Sequence, residues 1–171
     1  MGWEAPLTTI NTGMTAPSFN LKSLDGKTYS LAALLERGPV VAAFFKVSCP
    51  VCQFTLPFIQ RLADRYNGDD ATVLTISQDD AKSTASFNKE YGMKLPTLLD
   101  DPANYAVSNA YGLSMVPTIF LIEPDGKVKV SCMGFGKADL EQIATELSTH
   151  SKITATPLFN ADEVIPATKP G

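Results

Sequence analysis

Two cysteines with two residues between them, Cys49 and Cys52, have the types and the spacing for redox chemistry. Three positions apart on a helix, they would lie one turn apart on the same face, close enough for their sulfurs to bond and close a small ring. The first cysteine would attack a partner disulfide as a thiolate, and the second would resolve the mixed disulfide that results. The spacing therefore predicts thiol–disulfide exchange, with Cys49 as the nucleophile and Cys52 as the resolving thiol.

The elements around the pair favour this chemistry. The apolar run Val40–Phe45 predicts a strand that is buried on both faces, and apolar residues recur at helical spacing after Cys52. A thiol in the first turn of a helix faces unpaired backbone N–H groups and the positive end of the helix dipole, and both stabilise a thiolate. Lys46 is a candidate for further tuning of that thiolate, although a charge at the end of a strand more often reaches into solvent.

A metal site is the competing interpretation of the cysteines. Together, Cys49, Cys52, Cys132 and His150 add up to a Cys₃His zinc set. However, an apolar strand that leads into a helix is not the context of a zinc ribbon, and Cys132 belongs to the buried alternation of a late strand. His150 falls at the end of a helix, where a cation is ordinarily welcome. We therefore expect no metal and no cofactor, and we expect Cys132 to be a small buried hydrophobic residue.

The remaining apolar patterns alternate between strands and helices along the chain. Further strands are predicted at 72–77, 96–99, 117–122 and 128–132. One helix is predicted from the cysteine pair to Tyr66 with Pro57 inside it, and others at 31–36, 80–91, 103–111 and 139–147. Strands that are apolar on both faces need helices on both sides of their sheet. The pattern therefore predicts the α/β class.

The composition fits a single globular domain. The chain has 171 residues, of which 44% are hydrophobic and 19% charged, which argues against disorder. A net charge of −4 argues against nucleic-acid binding, and no apolar run approaches the roughly 18 residues of a membrane span. Met1–Pro6 lacks the basic and apolar segments of a signal peptide, so we expect a cytoplasmic protein; an exported location would fit a chain whose leader had been removed.

The motifs and their order resemble the thioredoxin superfamily. Within it they resemble the redoxin branch, which holds alkyl hydroperoxide reductase/thiol-specific antioxidant-like proteins and thioredoxin-like thiol-disulfide oxidoreductases. The resemblance covers residues 12–148 and rests on Gly13–Phe19, Leu24–Gly26, Val40–Phe45, Cys49–Cys52, Pro57 and Val116–Thr118. It implies a thioredoxin-like α/β fold, in which a central mixed β-sheet is flanked by helices on both faces, with an N-terminal extension in this chain.

The resemblance also implies roles outside the cysteine pair. In the family, the proline before the penultimate strand is in the cis form, and its loop holds the extended backbone of a substrate beside the nucleophile. Carried over, Val116 and Pro117 form this substrate-docking loop. The implied partners are a protein that carries the substrate disulfide or dithiol and a second protein that recycles the pair.

Three positions depart from the family pattern. Ser48 replaces the aromatic residue that commonly precedes the first cysteine. Ala43 and Thr55 stand where thioredoxins and the cytochrome-maturation relatives often carry acids. With both acids absent, we expect Cys52 to lose its proton to water or to Lys46.

Two other functions stay open at this point. A peroxidase of the peroxiredoxin type needs a threonine where Lys46 stands and an arginine at the thiol, and nothing in the sequence places Arg37, Arg61 or Arg65 there. The second alternative is a metal-binding module on the same fold that is not an enzyme. We favour disulfide exchange over both.

The character of the chain changes after His150. We predict a domain over residues 12–148 and a partly ordered C-terminal tail over 149–171. The tail is rich in threonine and proline but contains four apolar residues, Leu158, Phe159, Val164 and Ile165. We expect these four to pack on the body of the domain. A segment that covers a groove or contacts a partner is the alternative.

Overall fold

The computed structural model of the chain describes residues 8–171. Met1–Pro6, on which the prediction about a signal peptide rests, lies outside the described residues. The strands are β1 (Asn20–Lys22), β2 (Thr28–Ser30), β3 (Val40–Phe45), β4 (Thr72–Ser77), β5 (Thr97–Leu99), β6 (Thr118–Ile122), β7 (Val128–Met133), β8 (Phe135–Gly136) and β9 (Thr168–Lys169). The helices are α1 (Leu31–Arg37), α2 (Pro50–Tyr66), α3 (Ala81–Tyr91), α4 (Ala106–Ala110) and α5 (Lys137–Ser151). None of these helices combines the length and the apolar character that crossing a membrane requires.

A five-stranded sheet in the order β5-β4-β3-β6-β7 forms the centre of the fold. Strands β3, β4 and β5 pair in parallel, and β6 and β7 are antiparallel to their neighbours. Every residue of β3 and β4 is buried, as the apolar run in β3 predicts. The sheet is therefore mixed, and the prediction of a thioredoxin-like α/β fold is confirmed.

The two faces of β3 contribute to two separate cores. Val41, Ala43 and Phe45 pack with residues of α2, α3 and α5. The alternate residues Val40, Ala42 and Phe44 pack with residues of α1, α4 and the segment before β1. Because successive side chains of a strand point to opposite faces, a strand with six apolar residues needs a covering layer on each side.

One predicted helix is shorter than the sequence indicates. The apolar spacing from Ala103 to Tyr111 predicts a helix over that whole range, but α4 begins only at Ala106. The side chain of Asp101 accepts a hydrogen bond from Ala103 N, and Tyr105 adopts a left-handed backbone with φ 48°. The prediction was wrong here because a turn stabilised by an aspartate side chain replaces the first helical turn.

The segment 158–171, which we call the strap, packs across α2 toward the start of that helix. Leu158 and Phe159 are buried and Ile165 packs on the core, as predicted. Val164 is 97% exposed, so the expectation that it packs on the body was wrong, because the flanking Glu163 and Ile165 are the residues that face it. Helix α5 extends to Ser151, and the division of the chain at residue 148 stays a prediction.

Candidate active site

Cys49 is the N-cap residue of α2. Its backbone is extended, and Pro50 follows in the first helical turn. Proline lacks an N–H, but N–H groups in the first turn have no partner within the helix, so no helical hydrogen bond is lost. The Cys49 sulfur accepts a hydrogen bond from the backbone N–H of Cys52 at 3.1 Å. The sulfur therefore takes the place that a serine or aspartate oxygen takes in an ordinary N-cap, where backbone dipoles favour a negative charge. Cys49 is partly exposed.

Cys52 lies one turn further along α2 and is completely buried. Its side chain belongs to the core between the sheet and the helices, together with Leu56 and Ile59 of the same helix. Burial raises the pKa of the Cys52 thiol well above its ordinary value, and the neighbouring Cys49 raises it further. The two thiols therefore differ in exposure and in protonation, because Cys49 contacts solvent and Cys52 is protonated in the core.

The loop before β6 brings a backbone carbonyl to the cysteine pair. The bond between Val116 and Pro117 is cis, as the family resemblance implies. Because β6 lies beside β3 with Thr118 opposite Phe44, the start of β6 lies next to the end of β3, just before the pair. The Cys49 thiol lies 3.4 Å from the Val116 carbonyl oxygen, to which it can donate a hydrogen bond.

Lys46 contributes to the site through its backbone. Its carbonyl oxygen accepts a hydrogen bond from Cys49 N at 3.3 Å, which closes the turn between β3 and α2. Its ammonium lies 5.4 Å from the ring centroid of Tyr105, a distance typical of a cation–π contact. The role of Lys46 in tuning the thiolate stays a prediction.

Asp79 is an acid near the pair that the sequence reasoning missed. Its carboxylate accepts a hydrogen bond from Val47 N at 2.8 Å, within the turn that precedes Cys49. The Gln53 side chain donates a hydrogen bond to the Val47 carbonyl at 3.0 Å. Side chains therefore bind both the backbone N–H and the backbone carbonyl of Val47. The negative charge of Asp79 also adds to the causes that raise the pKa of Cys52, after burial and Cys49. Asp79 thus fixes the turn and influences the buried thiol.

Asp79→Ala is expected to lower the free energy of unfolding by about 1–2 kcal/mol, because the Val47 N–H loses a charged acceptor in a partly buried position. Asp79→Asn keeps a carbonyl oxygen that can accept the same hydrogen bond, so it should recover most of that loss. Urea unfolding followed by circular dichroism measures both. If the two variants unfold at the same urea concentration, the hydrogen bond is not what stabilises the turn.

The four residues of the competing Cys₃His interpretation are not gathered at one site. Cys132 is buried, as predicted, and burial raises the pKa of its thiol to about 12. His150 hydrogen bonds through Nε2 to the carbonyl of Asp70 at 3.0 Å. Across residues 8–171, no three histidine, cysteine, aspartate or glutamate side chains are grouped closely enough to hold a metal ion. The geometry gives a two-thiol site and no Cys₃His site.

The arginines make their contacts with other parts of the protein. Arg37 donates to the carbonyl of Gly68. Arg61 and Arg65 bind the strap and the residues just before it, through Leu158, Glu163, Thr156 and Pro157. None of these contacts involves Cys49, so the described hydrogen bonds do not supply the arginine that a peroxiredoxin-type peroxidase needs at its thiol.

The chain is similar to curated proteins and to solved structures. A thiol-disulfide oxidoreductase called ResA from Geobacillus thermodenitrificans is 31% identical over 137 residues, which span 79% of this chain and 77% of that protein. A solved structure of a putative thioredoxin from Neisseria meningitidis superposes with a TM-score of 0.67 at 30% identity, over 86% of this chain and 91% of that one.

More distant structures share the fold. A putative thiol:disulfide interchange protein DsbE from Chlorobium tepidum superposes with a TM-score of 0.71 at 23% identity, over 83% of this chain and 99% of that one. The profile of the AhpC/TSA family matches residues 12–131, a range that includes Cys49, Cys52 and the Val116–Pro117 loop. The predicted redoxin resemblance is thereby confirmed, and the chain belongs to the AhpC/TSA family.

Proposed function

We propose that this protein catalyses thiol–disulfide exchange with protein substrates, using Cys49 as the nucleophile and Cys52 as the resolving thiol. The observation that carries the proposal is the asymmetry of the pair. Cys49 is partly exposed at the N-cap of α2, and Cys52 is buried one turn further on. An exposed thiol meets the substrate first, and a buried thiol can react only with the sulfur beside it.

The reaction balances in two steps. The Cys49 thiolate attacks one sulfur of a substrate disulfide, forms a mixed disulfide and releases the other substrate sulfur as a thiolate, which takes up a proton. Cys52 then gives up its proton and attacks the Cys49 sulfur, which releases the second substrate thiol. Two electrons have passed to the substrate, and the protein holds a Cys49–Cys52 disulfide. A dithiol on a recycling partner reduces that disulfide again.

The surroundings of Cys52 suggest how its reactivity is timed. In the dithiol form, burial and the neighbouring Cys49 raise the pKa of Cys52, which keeps it protonated. Once Cys49 is joined to a substrate, its sulfur carries no charge, and one cause of the raised pKa is gone. Cys52 therefore becomes easier to ionise at the stage where its thiolate is needed.

The Val116–Pro117 loop supports a protein substrate. Its backbone lies beside the Cys49 thiol, and the Val116 residue is only half buried. An extended segment of a substrate could hydrogen bond to this backbone and so present its disulfide to Cys49. The ResA relative, whose name states thiol-disulfide oxidoreductase activity, supports the same class of reaction.

The test is to oxidise the protein with glutathione disulfide, alkylate the remaining thiols and map the products by mass spectrometry. We expect a Cys49–Cys52 disulfide with Cys132 alkylated after unfolding, and catalysis of insulin reduction by dithiothreitol. The reduction potential of the pair then gives the direction of electron flow, since about −270 mV is typical of a reductant and about −120 mV of an oxidant.

Three results would overturn the proposal. The first is the absence of a Cys49–Cys52 disulfide under any oxidant. The second is rapid turnover of hydrogen peroxide that persists in Cys52→Ser, which would indicate a thiol peroxidase. The third is stoichiometric zinc or copper(I) binding through the two thiols without any exchange activity, which would indicate a metal-binding module.

A further inference from the structure

The last residues of the strap lie against the docking loop. Strand β9 pairs antiparallel with β8, so Lys169 lies opposite Phe135 and Thr168 opposite Gly136. Beyond β9, Gly171 reaches Val116, because a Cβ placed on Gly171 would lie 2.4 Å from the Val116 carbonyl oxygen. This is the same oxygen that lies 3.4 Å from the Cys49 thiol.

Glycines make this close approach possible. A Cβ on Gly134 would lie 2.5 Å from the carbonyl oxygen of Lys169, and Gly134 has φ +75°, a conformation that other residues rarely adopt. Gly134 also donates its N–H to the carbonyl of Pro117 at 2.7 Å. The backbone of Gly134 therefore touches both the docking loop and the strap, and the strap passes over the junction without space for a further side chain.

Anchors further back hold the strap in this position. Phe159 packs between Phe58 and Phe135, with ring centroids 4.9 and 6.0 Å away. Arg61 forms a two-pronged ion pair with Glu163 at 2.7 and 2.8 Å. That pair and a hydrogen bond from Asn160 N hold the pKa of Glu163 at about 2, so the carboxylate is charged at neutral pH.

One more anchor lies beside the cysteine pair. The ammonium of Lys169 sits 4.8 Å from the ring centroid of Phe54, which belongs to the first turns of α2. The N–H of Lys137 also donates to the carbonyl of Ala167 at 2.9 Å. The strap is thus attached along its length, and its last residue lies against the Val116 carbonyl.

We propose that the strap is a specificity element of the exchange reaction, which occupies one side of the Val116–Pro117 docking loop and so disfavours disulfides carried on bulky folded proteins. The inference rests on the proposed function. A small disulfide needs access only to the Cys49 sulfur, which the strap leaves partly exposed. A protein segment that docks on the Val116 backbone must fit beside Gly171, which lies against that carbonyl, or displace it. The favoured substrates are small disulfides and disulfides on narrow, flexible segments.

The experiment compares strap variants of the full chain on two disulfides. Glu163→Gln removes the charge that pairs with Arg61, and Phe159→Ala removes the aromatic anchor. Val164→Ala is the matched control, because this side chain lies in the same segment and is 97% exposed. The probes are 5,5′-dithiobis(2-nitrobenzoate) as the small disulfide and folded insulin as the protein disulfide.

In the Glu163→Gln variant, kcat/KM toward the protein disulfide should rise about fivefold, the change expected from one partly exposed ion pair. Phe159→Ala should raise it further. The rate with the small disulfide should stay within about twofold of the parent in every variant, because a variant that unfolds would expose the buried Cys52 and Cys132 and react faster.

Unchanged or lower kcat/KM toward the protein disulfide in both anchor variants would overturn the inference, provided that the small-disulfide rate is retained. If Phe159→Ala reacts much faster than the parent with the small disulfide, that variant has not folded properly, and Glu163→Gln alone decides. Failure of the parent protein to react with either disulfide would instead refute the proposed function, so the two failures are distinct.

Discussion

Cys49→Ser is expected to reduce the rate of disulfide exchange by more than about 10³-fold, because a serine hydroxyl is a far weaker nucleophile than a thiolate and cannot form a mixed disulfide. The fold should be retained, since Cys49 is an N-cap residue and serine is among the preferred residues there. The hydroxyl oxygen can accept the hydrogen bond from Cys52 N that the sulfur accepts in the parent protein. The readout is the initial rate of insulin reduction at fixed dithiothreitol concentration.

Cys132→Ala is the matched control for this variant. It removes the third thiol of the chain, which is buried in β7 beside the Gly134 carbonyl. The exchange rate should stay within about twofold of the parent, and the cost in stability should be that of a small cavity, about 1 kcal/mol. Substantial exchange by Cys49→Ser, or a loss of exchange in Cys132→Ala, would contradict the assignment of the nucleophile.

Strands β3 and β4 could be predicted from the sequence with the right ends, because their side chains are buried on both faces and the pattern needs no knowledge of the neighbours. The position of Cys49 followed from the same strand and from the helical spacing after it. The start of helix α4 could not be placed, since the competition between a helical turn and the turn at Asp101 depends on hydrogen-bond geometry.

The position of Asp79 near the cysteine pair could be inferred only once the order of the strands is known. Strands β3 and β4 are parallel neighbours, with Phe45 opposite Ser77. Two residues beyond those ends, Val47 and Asp79 come together. The sequence shows an acid after β4, but only the adjacency of β3 and β4 places it at the turn before Cys49. The expectation that Cys52 loses its proton to water or to Lys46 did not take this acid into account, and it stays a prediction.

The path of the strap depends on contacts between distant parts of the chain. Arg61 and Glu163 are 102 residues apart, and neither belongs to a motif that would pair them in advance. The apolar residues of the tail indicated that it packs on the body, but not that its end reaches Val116. A long-range ion pair and close backbone contacts at glycine have no local periodicity, so sequence patterns do not reveal them.

The asymmetry between the two thiols follows from the geometry of α2. Cys52, Leu56 and Ile59 are spaced by four and three residues, so they share the buried face of the helix. Cys49 precedes the first turn, where the chain leaves β3, and so remains partly exposed. One amphipathic helix thus assigns one cysteine to the solvent and the other to the core, and the order of reaction follows from that assignment.

Cys52→Ala is expected to stop the reaction at the mixed disulfide between Cys49 and the substrate. In the parent protein the resolving thiol lies on the same helix as the mixed disulfide. Its effective concentration at the Cys49 sulfur is several orders of magnitude higher than that of a free thiol in solution. The lifetime of the mixed disulfide should therefore increase more than about 10³-fold. Non-reducing electrophoresis after an acid quench, with a disulfide-containing peptide as substrate, measures the adduct over time.

The double variant Cys49→Ser/Cys52→Ala is the control, and it should form no adduct, because the remaining thiol, Cys132, is buried within β7 of the sheet. Alanine is the better replacement at position 52, since a serine hydroxyl would be placed in an apolar core and would need a hydrogen-bond partner there. A Cys52→Ala protein whose adduct decays as fast as that of the parent would show that another thiol resolves it. Cys52 is completely buried, so no thiol from solvent can take its place next to the Cys49 sulfur. When Cys52 is replaced by alanine, the mixed disulfide has no neighbouring thiol to resolve it. The geometry therefore predicts a stable adduct.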